Sequence, residues 1–203
     1  LLLQILSNEL KPGEKIAETK IAQEFNTSRT PIREAMRKLE SQGLIQIFPK
    51  RYAQVANFSD KEIKDIGMIR ISLDILSIKL VAIYGSKAEL LNLKSIAEQC
   101  LEAFNNNDGV QRRKLDSDFH KELCRISKNK LLFDMQEDLS LKIQFILMHN
   151  DFKSVNDKEH LNQHIQIVDS LIEGNIEQAL KLDIQHLSEF YCLDIDSPIE
   201  FFL

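Results

Sequence analysis

No stretch of this 203-residue chain is long and apolar enough to span a membrane, and it carries no basic-then-apolar leader with a small-residue cleavage site. A soluble, cytoplasmic protein with no membrane partner is the expectation. Cysteine is scarce: Cys100, Cys124 and Cys192 are odd in number, widely spaced and form no CxxC, which fits reduced thiols better than a disulfide framework. Internal repeats are lacking, and the one low-complexity patch, NNND at 105–108, reads as a loop. The chain is also poor in helix breakers, with six glycines and four prolines, and they are unevenly spread. Pro12-Gly13, Gly43 and Pro49 punctuate short elements near the front, whereas after ANFSD (56–60) the residues run in long helix-period segments.

Charge divides at the same place. Residues 1–58 carry +3 and residues 59–203 carry −8, a basic module joined to an acidic one. We therefore expect two domains, residues 1–57 and 58–203. Ser59 followed by Glu62 has capping-box spacing and marks the start of the second. The apolar periodicity of the second region predicts helices over 60–84, 87–105, 111–127, 130–149, 157–173 and 176–192, an all-helical antiparallel bundle.

The first region turns on NTSRTPIREAMRKLESQGLI, residues 26–45. ETKIAQEF (18–25) reads as a helix with Ile21, Ala22 and Phe25 inward, and NTS then supplies a tight turn. Thr30 suits an N-cap and Pro31 a first helical position. Ile32, Ala35, Met36 and Leu39 follow at i, i+3, i+4 and i+7, a stripe for burial, while Arg33 and Arg37 project elsewhere. Gly43 suits a left-handed cap, and LIQIF and AQV, joined by PKRY, alternate like a hairpin. Helix, turn, arginine-bearing helix and hairpin make a winged helix-turn-helix, whose second helix enters the major groove while the wing meets the backbone. The DNA-facing set is then Ser28, Arg29, Thr30, Pro31, Arg33 and Arg37, with Lys50 and Arg51 in the wing. The bland alternative is a solvated helix face; the capped start, the turn before the helix and the hairpin after it weigh against that.

LKPGEKIAETKIAQEFNTSRTPIREAMRKLESQGLI resembles the DNA-binding domain of GntR-type bacterial transcription regulators, with its PG turn, E..LA helix, SRTPVREAL and L...GL. This chain departs from that pattern at the wing turn, where Lys50-Arg51-Tyr52 replaces a common glycine, and at Thr19, where some members have an arginine.

In the second region RRKLDSDFHKELCRI places Asp116 and His120 four apart, on one helix face, with Phe119, Leu123 and Ile126 on the neighbouring inner stripe. HIQIVDSLIEGNIEQALKLDIQH reads as a helical hairpin turning at Glu173-Gly174-Asn175, with Asn175 and Gln178 resembling a capping box. His164 and His186 then lie at similar heights on antiparallel helices. One carboxylate and three imidazoles facing a bundle core suit a divalent ion, zinc first, with nickel, manganese or iron as alternatives. Four unrelated polar residues are the competing reading.

Asp-x-x-Phe-His, a later His-x-x-Ile and a last His 22 residues on resemble the FCD ligand-binding domain of the FadR-like branch of that family. The resemblance implies a metal bound by Asp116, His120, His164 and His186, with a small carboxylic acid as effector beside it. His160, one turn before His164, is an alternative for that place, and His149 has no counterpart. Arg70 in MIRISLD matches an arginine of the domain's R..LE helix and is the effector-binding candidate; Asp74 stands where a glutamate is usual. The function expected is a homodimeric repressor on a palindromic double-stranded operator, not an enzyme. The rivals are a regulator whose metal is purely structural and a metal-dependent hydrolase, the latter lacking an evident base or nucleophile.

Overall fold

A computed structural model describes residues 1–49, 51–149 and 157–203. Its elements run α1 Leu2–Leu6, β1 Lys15–Ile16, α2 Glu18–Glu24, α3 Arg29–Ser41, β2 Ile45–Phe48, β3 Tyr52–Val55, α4 Asp60–Tyr84, α5 Lys87–Asn105, α6 Gly109–Ile126, α7 Lys130–His149, α8 Asp157–Ile172, α9 Ile176–Phe190 and α10 Pro198–Phe202. The fold is mainly α, a winged helix-turn-helix followed by a helical domain. Among the described residues no helix is long and apolar enough to cross a membrane.

The chain forms two compact units. One comprises Leu1–Ser59 together with the end of α7 from Leu141; the other begins at Asp60 and holds the remaining helices. In the first, α3 buries Ile32, Met36 and Leu39 against Ile21 and Ala22 of α2, Ile45 of β2, Ala53 and Val55 of β3, and Phe145 of α7. Its end is set by Gly43, at φ 73°, where a left-handed residue lets the Leu44 N–H return 2.9 Å to the Leu39 carbonyl. The hairpin forms as its alternation predicts, with Ile45 opposite Val55 and Phe48 opposite Tyr52. A third strand joins it: β1 pairs antiparallel with β3, giving the order β1-β3-β2. Two residues are too few for a periodic signal, so nothing in the sequence announces β1.

Three local expectations need correction. Helix α3 begins at Arg29 with Ser28 in the N-cap position and no side-chain cap, so Thr30 lies inside the helix and Pro31 is its third residue. Proline is tolerated there because the N–H groups of the whole first turn lack intrahelical acceptors, and it therefore does not mark the first position. Ala35 is exposed rather than part of the buried stripe. Phe25 is 49% exposed, because α2 stops at Glu24 and the chain turns before the helical period can carry that side chain inward.

In the second unit α4 packs on α6 and α9, α5 on α6 and α8, and α8 on α9, so five helices close a ring about one interior. Local chemistry places their ends. Ser86 and Glu89 form a reciprocal capping box at α5, and Asp108 and Asn175 accept the Gln111 and Gln178 N–H groups at 3.0 and 3.1 Å. Gly174, at φ 76°, turns α8 into α9.

Candidate metal centre and nucleic-acid interface

The interior of the second unit is polar where the helices of that ring meet. Arg70 and Asp74 of α4, Asp116 and His120 of α6, His160, Gln163 and His164 of α8, and Asp183 and His186 of α9 are all buried. Asp116, His120, His164 and His186 each offer one donor atom, and these atoms all lie within 4.8 Å of one another. The His120 and His164 Nε2 atoms are 3.2 Å apart, close to the separation of about 3.3 Å between two nitrogens on one tetrahedral zinc. His164 Nε2 is 3.8 Å from Asp116 Oδ1.

Neighbours orient the rings. Asp74 Oδ2 lies 2.5 Å from His120 Nδ1, and Gln163 Oε1 lies 3.1 Å from His186 Nδ1; an N–H on each Nδ1 leaves the opposite Nε2 as a free lone pair. Burial pushes His164 down to about 3 and holds His120 and His186 well below the ordinary histidine range, so the imidazoles are neutral, the form that ligates metal. Burial is the largest influence on Asp116 and works against its charge, but its polar neighbours, the Arg70 guanidinium first, together outweigh it and hold that carboxyl below the usual carboxylate range. Arg70 Nη2 stands 3.5 Å from Asp116 Oδ2, its Nη1 donates to Tyr191 Oη at 3.1 Å, and its buried Nε has no partner among the described residues. A dry cluster of three neutral imidazoles and one carboxylate is a donor set for a borderline divalent ion.

His164 rather than His160 enters this cluster. His160 instead stacks on His186, with ring centroids 3.7 Å apart, and on Phe190. His149 is not among the clustered donors; its Nδ1 is 2.7 Å from the Phe145 carbonyl. Sequence reading noted Asp74 only as a substitution, and missed Gln163, Tyr191 and Asp183. The signal that was there is spacing: Gln163 adjoins His164, and Asp183 lies three residues before His186 on the same helix.

In the first unit α3 exposes Arg29, Arg33 and Arg37, four residues apart on one face, with Ser28, Thr30 and Pro31 exposed at its start. Arg33 is not loose: its Nε and Nη2 donate to the Glu18 carboxylate at 3.1 and 2.8 Å, so α2 aims the guanidinium. Arg29, Arg33 and Arg37 line one cleft of about 650 Å³ with Arg51 and Tyr52 of the wing. Arg51 is exposed; Lys50, also expected in the wing contact, lies outside the described residues.

A winged helix-turn-helix joined to a helical domain with a buried polar centre is the build of a DNA-binding transcription regulator. The chain belongs to the gntR family of bacterial regulatory proteins: residues 1–55 match that family and residues 65–189 match the FCD domain. It is 30% identical to the HTH-type transcriptional regulator YdhC of Bacillus subtilis, over 91% of this chain and 83% of that protein. It is 28% identical to the HTH-type transcriptional repressor RspR of Escherichia coli, over 89% and 80%. The solved structure of McbR/YncC from E. coli has the same fold, with a TM-score of 0.77 over 92% of this chain and 89% of that one at 21% identity.

Proposed function

We propose that this regulator is a repressor that binds a palindromic operator as a homodimer, and that a small carboxylic acid held at a divalent metal, zinc first, controls its affinity. Two copies related by a two-fold axis match the symmetry of a palindromic site. Each copy presents α3 to the major groove through Ser28, Arg29, Thr30, Pro31, Arg33 and Arg37, and the wing through Arg51. Asp116, His120, His164 and His186 hold the ion, which when bound supplies a Lewis-acid centre for a carboxylate.

One observation carries the acid in this reading: among the described residues the buried Nε–H of Arg70 has no partner, beside the Asp116 of the cluster. An unsatisfied guanidinium donor in a dry interior is costly, and an acid's carboxylate accepting from Arg70 beside the metal ligands would remove that cost. An acid that prefers one arrangement of the DNA-binding units then shifts operator affinity by its differential binding. The word repressor in the name of the E. coli relative supports that direction of control.

The test is elemental analysis of protein purified without chelator beside an Asp116→Ala/His164→Ala variant, then a melting screen of small carboxylic acids. The expected result is near-stoichiometric metal that the variant loses, and one acid that raises the melting temperature and alters operator affinity only when metal is present. Protein free of metal, or a metal-bound protein indifferent to every acid in both melting and DNA binding, would sink the proposal.

A further inference from the structure

Beside the four-residue cluster lies a second group of buried donors. Asp74, His120 and Asp183 each offer an atom within 4.8 Å of the others, and all three side chains have no exposed surface. One of the four carboxylate oxygens is used, since Asp74 Oδ2 lies 2.5 Å from His120 Nδ1. The other three, Asp74 Oδ1 and both oxygens of Asp183, are buried, and among the described residues no hydrogen-bond donor reaches them. The nearby cation does not satisfy them by contact, because the Arg70 guanidinium pairs with Asp116 and Tyr191. Two neighbouring carboxylates taken out of water with three of their four oxygens lacking a donor are strongly disfavoured as charged groups, and a cation between them would offset that cost.

We propose that Asp74 and Asp183 hold a second divalent cation, a hard, oxygen-preferring ion of the manganese or magnesium class, next to the imidazole-rich centre. The donors divide by chemistry. The imidazole nitrogens of His120, His164 and His186 suit zinc, while the three free carboxylate oxygens suit an ion that takes oxygen ligands and keeps waters in its remaining positions. Asp74 serves both sites through different atoms: Oδ2 orients His120, and Oδ1 faces the second ion. Charge divides in the same way. Asp116 has Arg70 in direct contact, whereas Asp74 and Asp183 share that guanidinium's charge only at a distance, and one divalent ion would bring two positive charges between them. The acid effector plays no part in this site.

The experiment uses the full chain, stripped with chelator, loaded with Zn²⁺ and then titrated with Mn²⁺, with both metals counted by elemental analysis. The wild type is expected to hold one zinc and one manganese per chain. Asp183→Asn, which keeps size and shape, should retain zinc and lose manganese, and His164→Ala should lose zinc and retain manganese. A wild type that takes up zinc alone overturns the proposal and means that Asp74 and Asp183 carry protons in place of the ion. Manganese that survives Asp183→Asn overturns it equally. Loss of zinc from the wild type with manganese retained would count against the effector site of the preceding subsection while leaving this one standing.

Discussion

Single side chains here do work that their sequence positions do not advertise. Arg33 is tethered to Glu18 by two hydrogen bonds, yet the pair is partly exposed and contributes no more than about 1 kcal/mol to folding. Its value is in aim. Arg33→Ala should leave stability nearly unchanged while weakening specific operator binding by about 1–3 kcal/mol, read by fluorescence anisotropy at fixed salt; unaltered affinity would remove α3 as the reading helix. Gly67 is needed for closeness rather than for backbone freedom. A Cβ there would stand 2.5 Å from Tyr191 Cγ, so the ring that hydrogen-bonds Arg70 would have to move. Gly67→Ala should cost about 1–3 kcal/mol by overpacking, seen as a lower urea midpoint with an unchanged slope. If it is neutral, Tyr191 is not packed as described.

At the scale of elements, helix starts are chemical events as much as geometric ones. Glu89 closes the capping box of α5, hydrogen-bonds Ser86 and pairs with Lys128, and these contacts, Lys128 first, pull it from 4.5 down to about 2. Because the folded value is the lower one, its stabilisation is fully present above about pH 4.5 and drains away as pH falls from there toward 2. Glu89→Gln should flatten the stability profile across that window and leave it unchanged in shape above it. Equilibrium denaturation at a series of acid pH values checks this, and an unaltered acid limb would mean that the cap does not persist in solution. The helix bounds themselves were legible from periodicity and breakers, since Ser86, Gly174 and Asn175 act on their own neighbours. The start of α3 was not, because proline is compatible with several positions of a first turn.

At the scale of the whole molecule, chain order and compact units part company. Phe145, some ninety residues after the wing, is 2% exposed among the winged-helix core side chains and meets Phe58 edge-on with ring centroids 5.6 Å apart. Helix α7 thus gives its first residues to one unit and its last to the other. Phe145→Ala should destabilise the winged-helix unit by about 3–5 kcal/mol, the range for emptying a buried aromatic site. Chemical denaturation followed by operator binding measures it; a loss below 1 kcal/mol would show that the winged helix completes its core without α7.

The sequence by itself determined what local forces determine: helix periods, the turn between α2 and α3, the glycine cap at Gly43, the hairpin's alternation, and the residue types that suit metal and DNA. Spacing along single helices also put Asp116, His120, His164 and His186 on inner faces, because 3.6 residues per turn relates positions without knowledge of a partner. Tertiary structure alone decided the rest. That Asp74 rather than water meets His120, that Gln163 meets His186, that Arg70 meets Tyr191, that two aspartates from α4 and α9 face one another, and that β1 finds β3 all depend on how distant segments pack. Such contacts arise from burying apolar faces of whole helices together, a collective energy that no short spacing in the chain records.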